Sequence, residues 1–310
     1  MKWTKQGLIY APPHDGGWKD NSALTPTAFL LNEEVIRVYA AMRDPSGVSR
    51  IGYVDVDARD PSQVLAIAET PVLDIGRPGM FDDNGVILGD VIRVGEEIWM
   101  YYVGFQLVTK AKFLAYTGLA ISTDGGYHFV RHSEAPVMDR SDEAKYIRAV
   151  HSVIYEDGVF KAWYATGNGW EKIDGKDFPQ YDINYIESQD GKSFANAGVK
   201  VIENDAANNE YRIGRPRAYR DADGYIINYT YGTTDGRYQA GQARSHDGVA
   251  WRRDDAELGL SLAPEGWDSL HLSYPSVLRV PCGLTYVFYN GNNMGRDGFG
   301  YATLVGEDVV

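Results

Sequence analysis

The chain has 310 residues with a formal charge of −13 at neutral pH, an acidic balance that argues against nucleic acid or an anionic membrane surface as partner, since both reward basic groups. A single cysteine, Cys282, excludes an internal disulfide and suits a reducing compartment. The N-terminal MKWTKQGLIYAPP lacks the apolar stretch of a signal peptide, and no run approaches the roughly 18 apolar residues of a membrane span, so the expected address is cytoplasmic.

One pattern recurs along the chain: an apolar strand, a turn, an aromatic strand and a third strand. It opens near residues 26, 88, 150, 215 and 275. A spacing of roughly 60 residues marks a repeat whose units cannot bury their own faces alone. The predicted fold is therefore all-β, a single domain over 1–310 built as a five-bladed β-propeller with four antiparallel strands per blade. Residues 3–10 form a first strand without a repeat of its own. Blade one takes 24–31, 35–41, 50–56 and 64–72, and blade two takes 86–94, 97–103, 115–122 and 129–138. Blade three takes 149–155, 159–165, 182–188 and 194–202, and blade four takes 214–220, 225–231, 239–245 and 251–262. Blade five takes 273–280, 284–289 and 298–304. Ser122-Thr-Asp-Gly, Ser188-Gln-Asp-Gly and Ser245-His-Asp-Gly supply turn chemistry before an outer strand in three blades. The last blade stops short of that point, and Trp3 to Tyr10 carries the missing outer-strand pattern. The N-terminal strand is thus expected to pair with 298–304, removing a free sheet edge.

Strand parity then sorts the loops. Those entering each first strand, and those joining second to third strands, fall on one face. That face collects Asp20, Asp82, Asp83, Glu210 and Asp268, the cations Arg148, His151, Arg212 and Arg215, and the polar groups His271, Tyr274, Asn290 and Asn293. Two facing carboxyl groups are the minimum for glycoside hydrolysis. Each of these acids alone is equally suited to capping a turn or pairing with an arginine. Trp170, in the long 166–181 loop, offers a face for stacking on a sugar ring. No zinc spacing, phosphate-cradling glycine loop or nucleophile elbow is present. No cofactor or catalytic metal is expected, although the Asp and Asn oxygens offer ligands for a structural Ca²⁺ at the centre of the ring.

Phe81-Asp82-Asp83-Asn84-Gly85-Val86, Tyr101-Tyr102-Val103-Gly104, Trp267-Asp268-Ser269, Tyr274-Pro275 and Tyr289-Asn290-Gly291-Asn292 resemble a glycosidase-like group of bacterial five-bladed propellers related to glycoside hydrolase families 43, 32, 68 and 130. The resemblance covers nearly the whole chain. It implies a three-carboxylate site, which by position falls on Asp20, Asp83 and Glu210, with Glu210 as general acid. The chain departs from that pattern in blade one, which has Leu24-Thr25-Pro26-Thr27, and in blade three, which presents Arg148-Ala-Val-His151 and no acid. Arg43-Asp44-Pro45 is similar to the Arg-Asp-Pro of family 32 at a different repeat position. Three functions stay open. The first is a glycosidase-like enzyme on a small or terminal sugar, with Arg148, His151, Trp170, Arg215, Asp268, His271, Tyr274, Asn290 and Asn293 binding substrate. The second is a non-hydrolytic sugar-phosphate or nucleotide-sugar binding or transfer protein, or a phosphorylase, of cytoplasmic polysaccharide synthesis. The third is a protein-interaction platform. The sequence leaves the oligomeric state open.

Overall fold

A computed structural model describes residues 1–194 and 196–305. The protein is all-β, with helix confined to three short 3-10 turns. No helix is long and apolar enough to cross a membrane. The strands are β1 (Trp3–Tyr10), β2 (Ser22–Leu30), β3 (Val35–Arg43), β4 (Ser49–Asp57), β5 (Val64–Ile67), β6 (Val86–Val94), β7 (Glu97–Gln106), β8 (Leu114–Ser122), β9 (Val130–Arg131) and β10 (Ile147–Glu156). They continue with β11 (Val159–Ile173), β12 (Lys176–Ser188), β13 (Val199–Ile202), β14 (Glu210–Asp221), β15 (Gly224–Thr233), β16 (Tyr238–Ser245), β17 (Arg252–Arg253), β18 (Ser273–Arg279), β19 (Thr285–Asn290) and β20 (Phe299–Leu304).

Pairing follows the repeat. One sheet runs β2-β3-β4-β5 and another runs β18-β19-β20-β1. Between them in sequence lie three antiparallel runs, β6 to β9, β10 to β13 and β14 to β17, joined by short parallel contacts between β8 and β10 and between β12 and β14. The N-terminal strand pairs antiparallel with β20, Trp3 facing Leu304 and Tyr10 facing Phe299. The first strands of the five runs contact one another in cyclic order: β2 with β6, β6 with β10, β10 with β14, β14 with β18, and β18 with β2.

The core lies in layers between neighbouring runs. Tyr39, Ile51, Leu88 and Met100 share one layer, and Tyr101, Val150, Phe160 and Ile186 share the next. The Ser-x-Asp-Gly motif explains how layers lock. In each copy the Asp carboxylate accepts backbone N–H groups two to four residues on, and the Ser hydroxyl accepts another. The glycine carbonyl or its neighbour stays free to accept from an aromatic donor of the preceding run. Tyr39 Oη donates to the Gly126 carbonyl, Tyr101 Oη to Gly191, and Trp163 Nε1 to Gly248. A buried polar group on a large side chain needs such a partner.

Two expectations are corrected. Segment 166–181 is not a loop: β11 and β12 continue as a hairpin closed by Asp174-Gly175, both at positive φ as a type I′ turn requires. The outer strands are shorter than predicted, Val130–Arg131 against 129–138 and Arg252–Arg253 against 251–262. Pro136 cannot donate to a ladder, and Asp255–Leu258 turns into a 3-10 helix. Within the predicted 194–202 strand, Ala195 lies outside the described residues, and β13 occupies Val199–Ile202.

Candidate functional site

Each first strand carries an extra residue relative to its partner, at an equivalent place. The register slips between Leu24 and Thr27, Leu88 and Asp90, Val150 and Ser152, Gly214 and Arg217, and Ser273 and Ser276. A bulge breaks strand alternation and re-aims a side chain. Here the bulges gather Thr25, Gly89, His151, Arg215 and Tyr274 around one small space. Thr25, Arg215 and Tyr274 hold left-handed backbone at φ 52°, 56° and 57°. Such conformations cost about 1–3 kcal/mol each and persist where the surroundings over-determine them. Gly89 is required by close approach, because a Cβ would lie 2.3 Å from the Val150 carbonyl oxygen.

Above this ring opens a cavity of about 390 Å³, within the range of small-ligand sites. All five runs line it. Part of the lining is apolar and aromatic, with Ile87, Val103, Ile147, Ala165, Phe105, Phe113 and Phe178. The lining also holds Arg43, Arg212, Arg215 and Lys112, with Arg212 5.9 Å from the centre of the Phe178 ring. The lining contains no aspartate or glutamate.

The three arginines make no ion pair with any described residue. Arg212, itself buried, has its guanidinium 4.4 Å from the centre of the Tyr238 ring and 4.9 Å from that of Tyr211. Nε of Arg212 and Nε of Arg43 are buried with no hydrogen-bond partner, as is the Thr25 hydroxyl. Burial lowers the pKa of Arg43, and the charges of Arg215 and Arg296 add to the effect. Burial, then Arg215 and Arg217, hold His151 well below the ordinary imidazole value of 6.5. The Leu88 backbone takes one ring hydrogen bond, leaving Nδ1 to face Nη1 of Arg215 at 3.4 Å as acceptor. His151 is thus neutral at pH 7 and holds an arginine in place. Tyr238 Oη donates to Tyr274 Oη at 2.9 Å, closing the side between β16 and β18.

Of the residues expected to bind substrate, His151, Arg215 and Tyr274 line this cavity and the others do not. Arg148 is buried elsewhere, bonded to the Phe194 and Asn196 carbonyls and paired with Glu143 at 3.1 Å. Trp170 packs edge-on against Phe113, 5.0 Å between ring centres. Asp268 is buried and bonded to Lys5 and Tyr289. His271 accepts from the backbone of Asn293, and Asn290 is consumed by backbone groups of Ala23, Thr25 and Gly298. The three expected catalytic carboxylates stand outside the lining. Asp20 accepts from Gly16 N and Asp83 from Gly79 N. Glu210 accepts both terminal nitrogens of Arg253, at 2.8 and 2.6 Å, and the Asp205 amide at 2.7 Å. Sequence reasoning placed Arg212 on this face but did not assign Arg43, Tyr181 or Tyr238 to the site. The signal for Arg43 was its place at the end of a second strand. No group of three or more His, Cys, Asp or Glu able to hold one metal ion occurs among the described residues.

Comparison with solved structures places the chain among glycoside hydrolase folds. It superposes on a glycoside hydrolase with a TM-score of 0.70 at 18% identity, covering 99% of this chain and 93% of that one. A thermostable family-43 glycoside hydrolase gives 0.70 at 17% identity, over 97% and 95%. A structure from family 130, described as mannoside phosphorylases that include hydrolases of β-1,2-mannosidic linkages in Candida mannan, gives 0.68 at 15% identity, over 97% and 93%. At such identities the likeness is one of fold. No protein-family model matches the chain. Two Mycobacterium tuberculosis proteins match over 304 residues at 32% identity, 98% of this chain and 99% of theirs: "Uncharacterized protein Rv1502" of strain H37Rv and "Uncharacterized protein MT1551" of strain CDC 1551. With that identity over that length, the chain belongs to the family of these two mycobacterial proteins.

Proposed function

We propose that the five runs are the blades of a five-bladed propeller closed by the N-terminal strand, and that its central cavity binds a phosphate-bearing sugar, such as a sugar phosphate or a nucleotide sugar. The fold shared with glycoside hydrolases supports the carbohydrate part of this reading. One observation carries the anion: three arginines converge on a cavity that has no carboxylate in its lining. Arginine forks match paired oxygens, and donors buried without partners are what a bound oxyanion would satisfy. The apolar part of the lining suits a sugar face or a base. The protein would act as a binding or transfer component rather than a simple hydrolase. Titration calorimetry tests this directly. Glucose 1-phosphate and UDP-glucose serve as probes against methyl glucoside, and Arg215→Ala should weaken the phosphorylated probes at least tenfold. Binding of the neutral glycoside alone, unaffected by Arg215→Ala, would remove the anion reading.

A hydrolytic reading keeps Asp20, Asp83 and Glu210 as its carboxylates, and the glycoside hydrolase fold favours it. Against it stands the geometry of Glu210, which lies outside the cavity lining with its carboxylate oxygens already accepting from Arg253 and the Asp205 amide.

A further inference from the structure

Beside the cavity, on the far side of Tyr181, lies a second cleft of about 510 Å³ with the opposite chemistry. Tyr181 lines both spaces, and strand alternation divides the rest. Ala165 and Arg212 face the cavity, while their neighbours Thr166 and Tyr211 face the cleft. The cleft has no lysine or arginine in its lining. Its groups are the amides of Gln180 and Asn209, the hydroxyls of Thr166 and Tyr211, and three hydrogen-bonded carboxylates, two of them paired with a cation outside the lining. Glu171 accepts from Gln180, Asp182 from Asn204 and Lys200, and Glu210 from Arg253.

We propose that this cleft is a binding site for a neutral saccharide, placed beside the anion cavity with Tyr181 as the common wall. Vicinal hydroxyls each donate and accept, and planar amides and carboxylates offer the matching pairs. An anion would meet three carboxylates and no cation there. A second observation points the same way. Thr166 is only 7% exposed, yet its hydroxyl has no hydrogen-bond partner among the described residues. A buried hydroxyl without a partner is uncommon and calls for a ligand group or water. Thr166 opens the bulge between itself and Gly169, and Asn168 within it closes the cleft's edge, its amide bonded to the Lys145 amide and the Glu143 carbonyl. The two sites together would let one sugar carrying a phosphate lie next to one that carries none, the arrangement a transfer reaction needs. This rests on the carbohydrate-active reading, but not on the anion in the cavity.

The experiment is saturation-transfer NMR on the intact protein with methyl glycosides of glucose, galactose, mannose and N-acetylglucosamine. At least one should bind saturably. Thr166→Val, which keeps the shape and removes the hydroxyl, should weaken it about three- to tenfold, the size of one neutral hydrogen bond. Asn209 holds left-handed backbone at φ 61°, so Asn209→Gly removes its amide without strain and should weaken binding similarly. Arg215→Ala should leave it within about twofold, because that change belongs to the other site. No saturable glycoside binding would overturn the proposal. So would binding that Arg215→Ala abolishes and Thr166→Val or Asn209→Gly leaves intact, since the sugar would then sit in the cavity. Glycoside binding that persists while phosphorylated sugars fail to bind would retire the anion reading and leave the cleft standing.

Discussion

Arginines on the flanks of this protein and arginines at its centre are built in opposite ways. Arg37 is fully buried, held by both Asp55 oxygens at 2.7 and 2.8 Å and sandwiched between the rings of Tyr53 and Tyr127. Arg253 is matched in the same manner by Glu210 and Asp255. Arg43, Arg212 and Arg215 have aromatic faces, each other and a neutral histidine, but no carboxylate. Removing a charge from water is costly unless an opposite charge repays it. The flank arginines meet that condition and belong to the fold. The central ones do not, so their cost is retained for something the fold alone does not supply.

The comparison breaks most visibly at Arg37. Arg37→Met leaves Asp55 buried with no cation and should cost about 3–5 kcal/mol, read as a lower urea midpoint. An unchanged midpoint would mean that paired guanidinium groups here are not structural. Glu210→Gln should be milder, about 1–3 kcal/mol, because the amide oxygen still accepts one hydrogen bond from Arg253 and Asp255 remains beside that guanidinium. Binding of glucose 1-phosphate should be unchanged in that variant. If stability were preserved and glycoside turnover lost instead, Glu210 would be the acid of a hydrolase.

Much of the fold was legible because a repeat restates its own pattern. The starts of the first strands, the pairing of 3–10 with β20 and the Asp157-Gly158 hairpin all follow from spacing and turn chemistry. The hairpin around Asp174-Gly175 reads in the sequence as a loop despite its Asp-Gly turn chemistry. Its strands, Trp170 to Ile173 and Lys176 to Pro179, lack the apolar alternation that marks a half-buried strand. The face on which the loops gather was legible for the same reason as the strands, since parity decides it. Which side chains enter the cavity was not. Asp20 and Asp83 fold back onto amides four residues earlier, and in one dimension such an acid looks the same as a free one. His151, Arg215 and Tyr274 point inward through bulges, each set by the register of a partner strand some 15 residues away.

The histidines sharpen the comparison with pH. Burial lowers the pKa of both His151 and His271, so the unfolded chain binds protons that the folded one refuses below the ordinary value of 6.5. Their contribution to stability is complete above pH 6.5 and is lost as pH falls from there through the folded values, with a slope of at most about 1.4 kcal/mol per pH unit for each group. Thermal unfolding from pH 7.5 to 5 should show this loss, and His151→Gln should flatten it. A profile that is flat for the native protein would mean that His151 already carries a proton beside Arg215.

The smallest effect is the most discriminating, because its sign is opposite to that of the other arginine substitution. Arg43 has a buried, unpartnered Nε, Arg215 and Arg296 as like-charged neighbours, and no ion pair among the described residues. Arg43→Met keeps the length of the side chain in the cavity lining while removing the charge and the repulsion. It should leave the protein equally stable or raise stability by about 1 kcal/mol, seen as a melting temperature a few degrees higher at most. Affinity for glucose 1-phosphate should fall in the same variant, since an oxyanion would lose one of its three cationic partners. Stability and binding would then move in opposite directions, as they do where a fold keeps an unfavourable group for function. A clear loss of stability would instead place Arg43 with Arg37 and Arg253, as a member of the framework whose partner is part of the fold.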